Sequence, residues 1–384
     1  MHVILLSYKQ EVISSMYDKS YHFAEENQLS SPQLIYYEDG IRRNTEAAIR
    51  AAGGAGRLWP HVKSHKMQAM IRMQLEYGIR RFKCDTLREA QMAAAAGADE
   101  VLLAYMPVGP NQEAYLRLCK LYPAVRFHTI GDDLDTLAHL GSLSDKPVSV
   151  LLDVDTGLHR TGVPISSLES FYREASKLPG IRMHGFHVYD GEDHQSLLQD
   201  RMDAVTRLEQ AFFPVYDLIR SRFGPQIVIF GGTPSMPCFA TCLSHYQDAF
   251  LSPGTLFLGD YGYSTAFPDM KYPPAAAVLT RVISHPGEGR FTLDCGTKAL
   301  SCDQSVPGHL VGIPAEPVFQ NEEHMVCRMR QGLESLRPAV GTVLYIIPAH
   351  ICTTTILYPR VPVIHDGHLI GSWSVTARDR LTQF

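Results

Sequence analysis

Several features that would settle the class of this chain at once are missing from it. Its 384 residues include 8 cysteines, at positions 84, 119, 238, 242, 295, 302, 327 and 352, and no two of them form a CxxC pair. A zinc ribbon, a thioredoxin-type redox pair and a disulfide framework are therefore not expected, and the thiols are read as reduced. No apolar stretch approaches the ~20 residues of a membrane span. The opening MHVILLSYKQEV has a short apolar run without a positively charged flank or a small-residue cleavage site, so no secretory signal is read there and a cytoplasmic location is expected. Long basic runs are absent too: 35 Lys and Arg stand against 40 Asp and Glu, a formal net charge of -5. That balance gives little electrostatic drive toward nucleic acid or an anionic membrane, and leaves a small molecule as the expected partner. Low-complexity segments and internal repeats are also lacking.

What is present is an ordinary globular composition, 45% apolar and 20% charged. At ~150 residues per domain, the length points to two domains. Through the first two thirds, short β-rich runs alternate with helical stretches, the pattern of βα units around a mostly parallel sheet. Candidate strands cover residues 34–38, 58–63, 81–86, 100–105, 126–130, 148–154, 182–189, 227–232 and 249–258. Helical spacing marks residues 41–52, 87–96 and 198–222. Nine strands are one more than a (β/α)8 barrel needs, and a doubly wound open sheet competes with it. Past residue 272 helical periodicity fades, and residues 276–284, 290–293, 343–347 and 371–377 read as strands of a second, mostly β domain. Tyr272-Pro273-Pro274 is a plausible junction.

Chemistry-bearing residues crowd the ends of these strands. Trp59-Pro60-His61-Val62-Lys63-Ser64-His65-Lys66 puts two lysines and two histidines at the carboxyl end of one βα unit, where barrel enzymes keep their active sites. A partly desolvated lysine there is nucleophilic enough to form a Schiff base; a solvated basic loop is the plainer alternative. Gly231-Gly232-Thr233-Pro234-Ser235 and Pro253-Gly254-Thr255 each follow a strand. If residues 58–63 form barrel strand one, these two loops follow strands seven and eight, the usual phosphate site of a barrel. His350-Ile351-Cys352 lies in a β-branched run, and in a strand an imidazole and a thiol two residues apart share a face and suit Zn2+. Asp153, Asp155, Gly157, His159 and Arg160 cluster at the end of another strand, where Arg160 either holds an anionic oxygen or pairs with a neighbouring aspartate. Tyr189 and His194 follow the next strand as a stacking ring and a general base, or as part of a polar loop.

Taken in order, PHVKSHK (60–66), DTGLHRTG (155–162), GGTPS (231–235) with PGT (253–255), LDCGTKALSCD (293–303), NEEH (321–324), AHIC (349–352) and DGHLIGSWSVTARDR (366–380) resemble the fold-type III pyridoxal phosphate enzymes. The likeness is to the D-threonine aldolase and D-serine dehydratase group, related to alanine racemase. The resemblance implies an N-terminal extension at 1–30, a pyridoxal-binding (β/α)8 TIM-like barrel at 31–272 and a β domain carrying metal ligands at 273–384, within a homodimer. The spare strand at 34–38 would then belong to the β domain or its junction.

By position, the resemblance makes Lys63 the cofactor-linking lysine, with Lys66 its neighbour. Arg160 would contact the pyridoxal ring, and Tyr189 would lie beside it. Gly232, Thr233, Gly254 and Thr255 would bind the phosphate, and His350 and Cys352 a divalent metal, zinc or Mn/Mg. The implied activity is metal-dependent cleavage of D-β-hydroxy-α-amino acids. Aldolase cleavage to glycine and an aldehyde comes first, with His194 near the base position of that group. D-serine dehydration to pyruvate and ammonia, which Cys352 favours, is the alternative. An amino acid racemase, resting on Tyr261 or Tyr263 as second base, and a barrel-only pyridoxal phosphate carrier are more remote. Asn321 in NEEH and Ala349 in AHIC depart from the family pattern. Asp303 is read as a turn residue or a neighbour of the site.

Overall fold

In the computed structural model, the described residues are 19–192, 195–240 and 245–380. The chain divides into two compact units, Met1–Asn44 with Thr255–Val375, and Thr45–Gly254 with Thr376–Phe384.

The second of these is a parallel barrel. Arg81–Cys84, Glu100–Leu103, Arg126–Gly131, Val148–Asp155, Ile181–Val188, Ile227–Phe230 and Ala249–Leu251 pair in chain order, all parallel. Residues 58–61 take the eighth place between the two end strands, through parallel bridges Leu58↔Leu251 and His61↔Lys83. Backbone bonds from Trp59 N to Leu251 O and from Lys83 N to Pro60 O, both 2.8 Å, close the ring. The expected barrel is therefore present, and residues 58–63 do open it. Its interior is filled by Trp59, Leu102, Ile130, Leu151, Ile229 and Phe250, each side chain contributing on the order of 1.5–3 kcal/mol by leaving water.

Short, well-capped connections make the parallel order possible. Helix Leu87–Ala96 starts where Thr86 Oγ1 accepts from Glu89 N at 3.1 Å, capping one first-turn donor, while Glu89 Oε2 accepts from Asp85 N, the amide just before the cap, at 2.7 Å. Several strands stop short of their expected ends, Arg81–Cys84, Glu100–Leu103 and Ile227–Phe230 by two residues each, and two of the ends have an evident cause. Residues 62–64 already form a helical turn. The last strand stops at Leu251, because Pro253 has no N–H to continue a ladder.

The other unit is built on a nine-stranded sheet among the described residues. Gln33–Tyr37, the spare strand of the sequence, lies here, antiparallel to Ala276–Ser284 and parallel to Arg360–His365. Val343–Pro348 pairs with the far side of Ala276–Ser284, and Arg290–Leu293 extends the sheet through Met325–Met329 to Ala315–Gln320. Phe23, Ile35, Ala277, Leu279, Tyr345 and Ile364 form its buried cluster.

Candidate active site

The carboxyl ends of the barrel strands surround a cavity of about 570 Å3 whose lining includes Lys63, Lys83, Asp85, Arg160, His187 and Tyr189. The sequence-expected trio Lys63, Arg160 and Tyr189 is thus brought to one cavity. Lys66 is not: its backbone turns through a positive φ of 53° and its ammonium binds the fully buried Glu89 carboxylate. Of the two neighbouring lysines, Lys63 alone lines the cavity.

Lys63 is held from two sides. Its own N–H donates to His61 Nδ1 at 3.4 Å, so the proton of that ring sits on Nε2, which donates to Asp85 Oδ1 at 3.0 Å. The second oxygen of Asp85 lies 3.2 Å from Lys63 Nζ. Burial of the His61 ring pulls its pKa down to about 3, so it stays neutral. Burial opposes ionisation of Asp85, but His61 and Lys63 beside it hold its carboxyl far below the usual range. The guanidinium of Arg160 stacks over the Tyr189 ring at 4.7 Å. Neither neighbouring aspartate turns out to be devoted to Arg160. Asp153 accepts from His187 Nδ1 at 2.7 Å, and Asp155 binds the exposed His159 at 2.7 Å.

Three further residues of the cavity, Lys83, Asp85 and His187, belong to no motif of the sequence. Lys83 sits in the short strand RFKC, where a lysine ordinarily points to solvent. Only the register His61↔Lys83 reveals that it faces the same cavity as Lys63.

The two glycine loops meet as the strand count requires. Gly254 N donates to Thr233 Oγ1 at 3.2 Å. A Cβ on Gly254 would come within 2.9 Å of Ser64 Oγ, and one on Gly232 within 3.2 Å of the Tyr189 ring. Both places are tight for a side chain, and a cradle of amides and hydroxyls in reach of the Lys63 turn suits the phosphate of a pyridoxal cofactor. An amine, a stacked ring and a cation around one cavity, with this cradle beside Tyr189 and the Lys63 turn, fit that group.

His350, Cys352 and Thr255 lie in the other unit. Contrary to the strand reading, His350 caps the short helix Ile351–Thr355, so Cys352 belongs to a helical first turn. His350 Nδ1 binds Asp303 Oδ2 at 2.5 Å. Its hydrogen bond with Cys352, above all, and the Asp303 carboxylate raise the imidazole pKa to about 9. Thr255 Oγ1 approaches Cys352 Sγ at 3.5 Å. Among the described residues no three His, Cys, Asp or Glu side chains form a metal-holding group. The donors at hand are one imidazole, whose Nε2 would turn from Cys352 to a metal while Asp303 keeps Nδ1, and one thiol; both suit zinc. His194 lies outside the described residues.

Residues 38–217 match the family model for the N-terminal domain of alanine racemase, and residues 275–364 that of a putative serine dehydratase domain. D-threonine aldolase of an Arthrobacter species is 28% identical over 330 residues, 84% of this chain and 85% of that one. The crystal structure of D-threonine aldolase from Filomicrobium marinum superposes with a TM-score of 0.81 at 25% identity, over 92% of this chain and 96% of that one. This chain belongs to the fold-type III pyridoxal phosphate enzymes, in the D-threonine aldolase and D-serine dehydratase group. D-threo-3-hydroxyaspartate dehydratase of a Delftia species, 23% identical over 90% of this chain and 97% of its own length, is another relative. Fold-type III enzymes therefore share both units of this chain. Among its described residues no helix is long and apolar enough to cross a membrane.

Proposed function

We propose that this protein is a pyridoxal phosphate- and divalent-metal-dependent lyase of D-β-hydroxy-α-amino acids, of the D-threonine aldolase type, releasing glycine and an aldehyde. The observation that carries the reading is the convergence of Lys63, Arg160 and Tyr189 on one cavity beside the Gly254–Thr233 cradle. Pyridoxal phosphate, when bound, supplies an electron sink for charge developing at the substrate α-carbon.

In this reading Lys63 is the linking amine, and Asp85, itself tied to His61, keeps it at the mouth of its turn. Arg160 and Tyr189 orient the ring, and the amides and hydroxyls of Gly232, Thr233, Gly254 and Thr255 hold the phosphate. His350 through Nε2 and Cys352 through sulfur would hold a divalent metal, zinc or alternatively manganese or magnesium, which supplies a Lewis acid for the β-hydroxyl oxygen. His194 is proposed as the base that takes the hydroxyl proton. The working form is proposed to be a cytoplasmic homodimer, which light scattering of the purified protein checks.

One observation favours a second reading. A sulfur beside an imidazole selects zinc over manganese or magnesium; zinc held there would supply the Lewis acidity that loss of a β-hydroxyl needs, and Lys63 as the group that takes the α-proton would complete a D-serine dehydration. Product analysis separates the two. The protein loaded with pyridoxal phosphate and with zinc, manganese or magnesium is given D-threonine or D-serine. Glycine with acetaldehyde supports the aldolase; keto acid with ammonia supports the dehydratase. No turnover of either substrate with any of the three metals would sink both.

A further inference from the structure

Lys83 is a buried ionisable group of the cavity that has no part in the proposed function. It is 2% exposed, lines the cavity with Lys63, and its Nζ lies 3.4 Å from His187 Nε2. The other end of that imidazole is fixed, since Nδ1 lies 2.7 Å from the Asp153 carboxylate and must donate to it. The Nε2 that faces Lys83 is therefore an unprotonated acceptor. His187 and Asp153 are each 3% exposed, so the whole row Asp153, His187, Lys83 is shut from bulk water except across the cavity. Other lysines of the chain are seated differently: Lys63, Lys66, Lys120, Lys177 and Lys298 each face a carboxylate. Lys83 hydrogen-bonds a neutral ring.

We propose that Lys83 accepts the proton that the ammonium group of an incoming amino acid must shed, with His187 and Asp153 as the positioning residues that aim it into the cavity. The inference rests on the reading of this cavity as a pyridoxal pocket with Lys63 as linking amine. The amino acid enters as an ammonium ion, and its nitrogen is not a nucleophile until one N–H bond breaks. That proton moves to the lone pair of Lys83 Nζ, which becomes the ammonium. When the product amine departs, Lys83 returns the proton to the product nitrogen and is neutral again. No oxidant, reductant or further reactant is needed.

Every group that faces Lys83 enters the balance. Lys63 and His61 come from the first βα turn, Asp85 from the end of its own strand, Asp153 and Arg160 from Val148–Asp155 and its loop, and His187 and Tyr189 from Ile181–Val188 and the residue after it. Two carboxylates favour the ammonium form, but Asp85 is shared with His61 and Lys63, and Asp153 is committed to His187. Burial, and after it the Lys63 charge, pull the amine down to about 7. An amine so placed exchanges its proton at working pH, whereas an ordinary lysine stays charged.

The alternative role is a fixed cation that holds an anionic oxygen, and arginine separates the two because it cannot give up its proton. The first measurement is a pH titration of the cofactor-free protein carrying 13C-labelled lysine; ten lysines give a tractable spectrum. One resonance, absent in Lys83→Arg, should titrate near neutrality. Titration of that resonance at the ordinary lysine value of about 10.4 would overturn the proposal. The second measurement follows, by stopped-flow absorbance, the exchange of D-alanine into the pyridoxal phosphate-loaded protein, since D-alanine has no β-hydroxyl to lose. Lys83→Met and Lys83→Arg should both slow exchange by about 10²-fold. Wild-type exchange in Lys83→Arg would overturn the role of Lys83 alone. Failure of the wild-type chain to develop the cofactor absorbance band would instead overturn the pocket reading. If Lys83→Met does not fold, the titration and the arginine variant decide the matter without it.

Discussion

The lysine cavity of the barrel and the His350–Cys352 pair of the β unit organise their reactive groups by different means. In the barrel, each group sits at the end of a strand whose register is set by its neighbours. Asp85 ties Lys63 to His61, and His187 ties Lys83 to Asp153, with Lys83 2%, His61 7% and His187 3% exposed. In the β unit a single helix cap brings His350 and Cys352 together, with one carboxylate behind them, and the His350 and Asp303 side chains remain 33% and 37% exposed. A cofactor that must be gripped over its whole length is met by a preassembled pocket. A pair of donors that a metal ion can draw together needs only one oriented ring.

If that contrast is right, damage at the two places differs in kind as well as in size. Lys63→Ala should be the most severe change, costing on the order of 10⁴-fold or more in kcat and abolishing the cofactor absorbance band, while the fold survives because this half-exposed side chain carries no core packing. A retained band in that variant would mean another amine holds the cofactor. Next come His350→Ala and Cys352→Ala. Each should leave the band in place and abolish tight metal binding, read by competition with a chromophoric chelator. Chelation should silence the wild-type enzyme in the same way; activity indifferent to both chelation and His350→Ala would sink the metal assignment. Asp303→Asn should be milder, lowering metal affinity by about 10–100-fold because the ring loses the partner that fixes Nδ1. Asp303→Glu should recover part of that loss.

The same contrast decides what could be read from the sequence. Eight barrel positions were legible because β-branched runs alternate with amphipathic helices, and Lys63 because its octamer packs four basic side chains into a strand end. Lys83 was hidden: one lysine in RFKC looks like an outward residue until the register with His61 places it inside. The helix at Ile351–Thr355 was hidden for the opposite reason, since Ile351, Thr353, Thr354 and Thr355 all carry the β-branched signature of a strand. One tertiary bond and two local ones override that propensity. Asp260 Oδ2 accepts from Ile351 N at 3.2 Å, and the hydroxyls of Thr353 and Thr354 bond back to His350 O at 3.3 and 3.0 Å. Asp303, read as a turn residue or a neighbour of the site, meets His350 and Thr353 because that helix forms, in addition to its local bond from Ser301.

The smallest effect on catalysis is expected at the amino-terminal end of the barrel, away from the strand ends that line the cavity, and it sharpens the comparison by separating stability from function. Glu100 accepts from Arg81 at 2.9 Å and from Arg126, and His128 approaches its second oxygen at 3.3 Å. Burial works against its ionisation, but the His128, Arg126 and Arg81 bonds prevail and hold its pKa at about 2. A depressed carboxylate pKa stabilises the fold above the unfolded value near 4.5 and loses that contribution as pH falls toward 2, because the unfolded chain takes up the proton first. Burial also holds His61 and His65 at about 3 and His184 at about 4. Those rings must charge on unfolding, so they add a loss that begins as pH drops below the ordinary value of 6.5. Denaturant titrations of the wild-type protein should therefore show stability declining from pH 6.5 downward and a further decline below 4.5. Glu100→Gln should lower stability at neutral pH by about 1.5–3 kcal/mol, keep the first decline, and make the second shallower, the remainder coming from other depressed carboxylates such as Asp85 and Asp303. Its kcat should stay within about twofold of wild type, as expected for a residue at the stability face of a barrel. An unchanged slope below pH 4.5 in that variant would show that the arginine cluster at this end of the barrel does not set its acid limit.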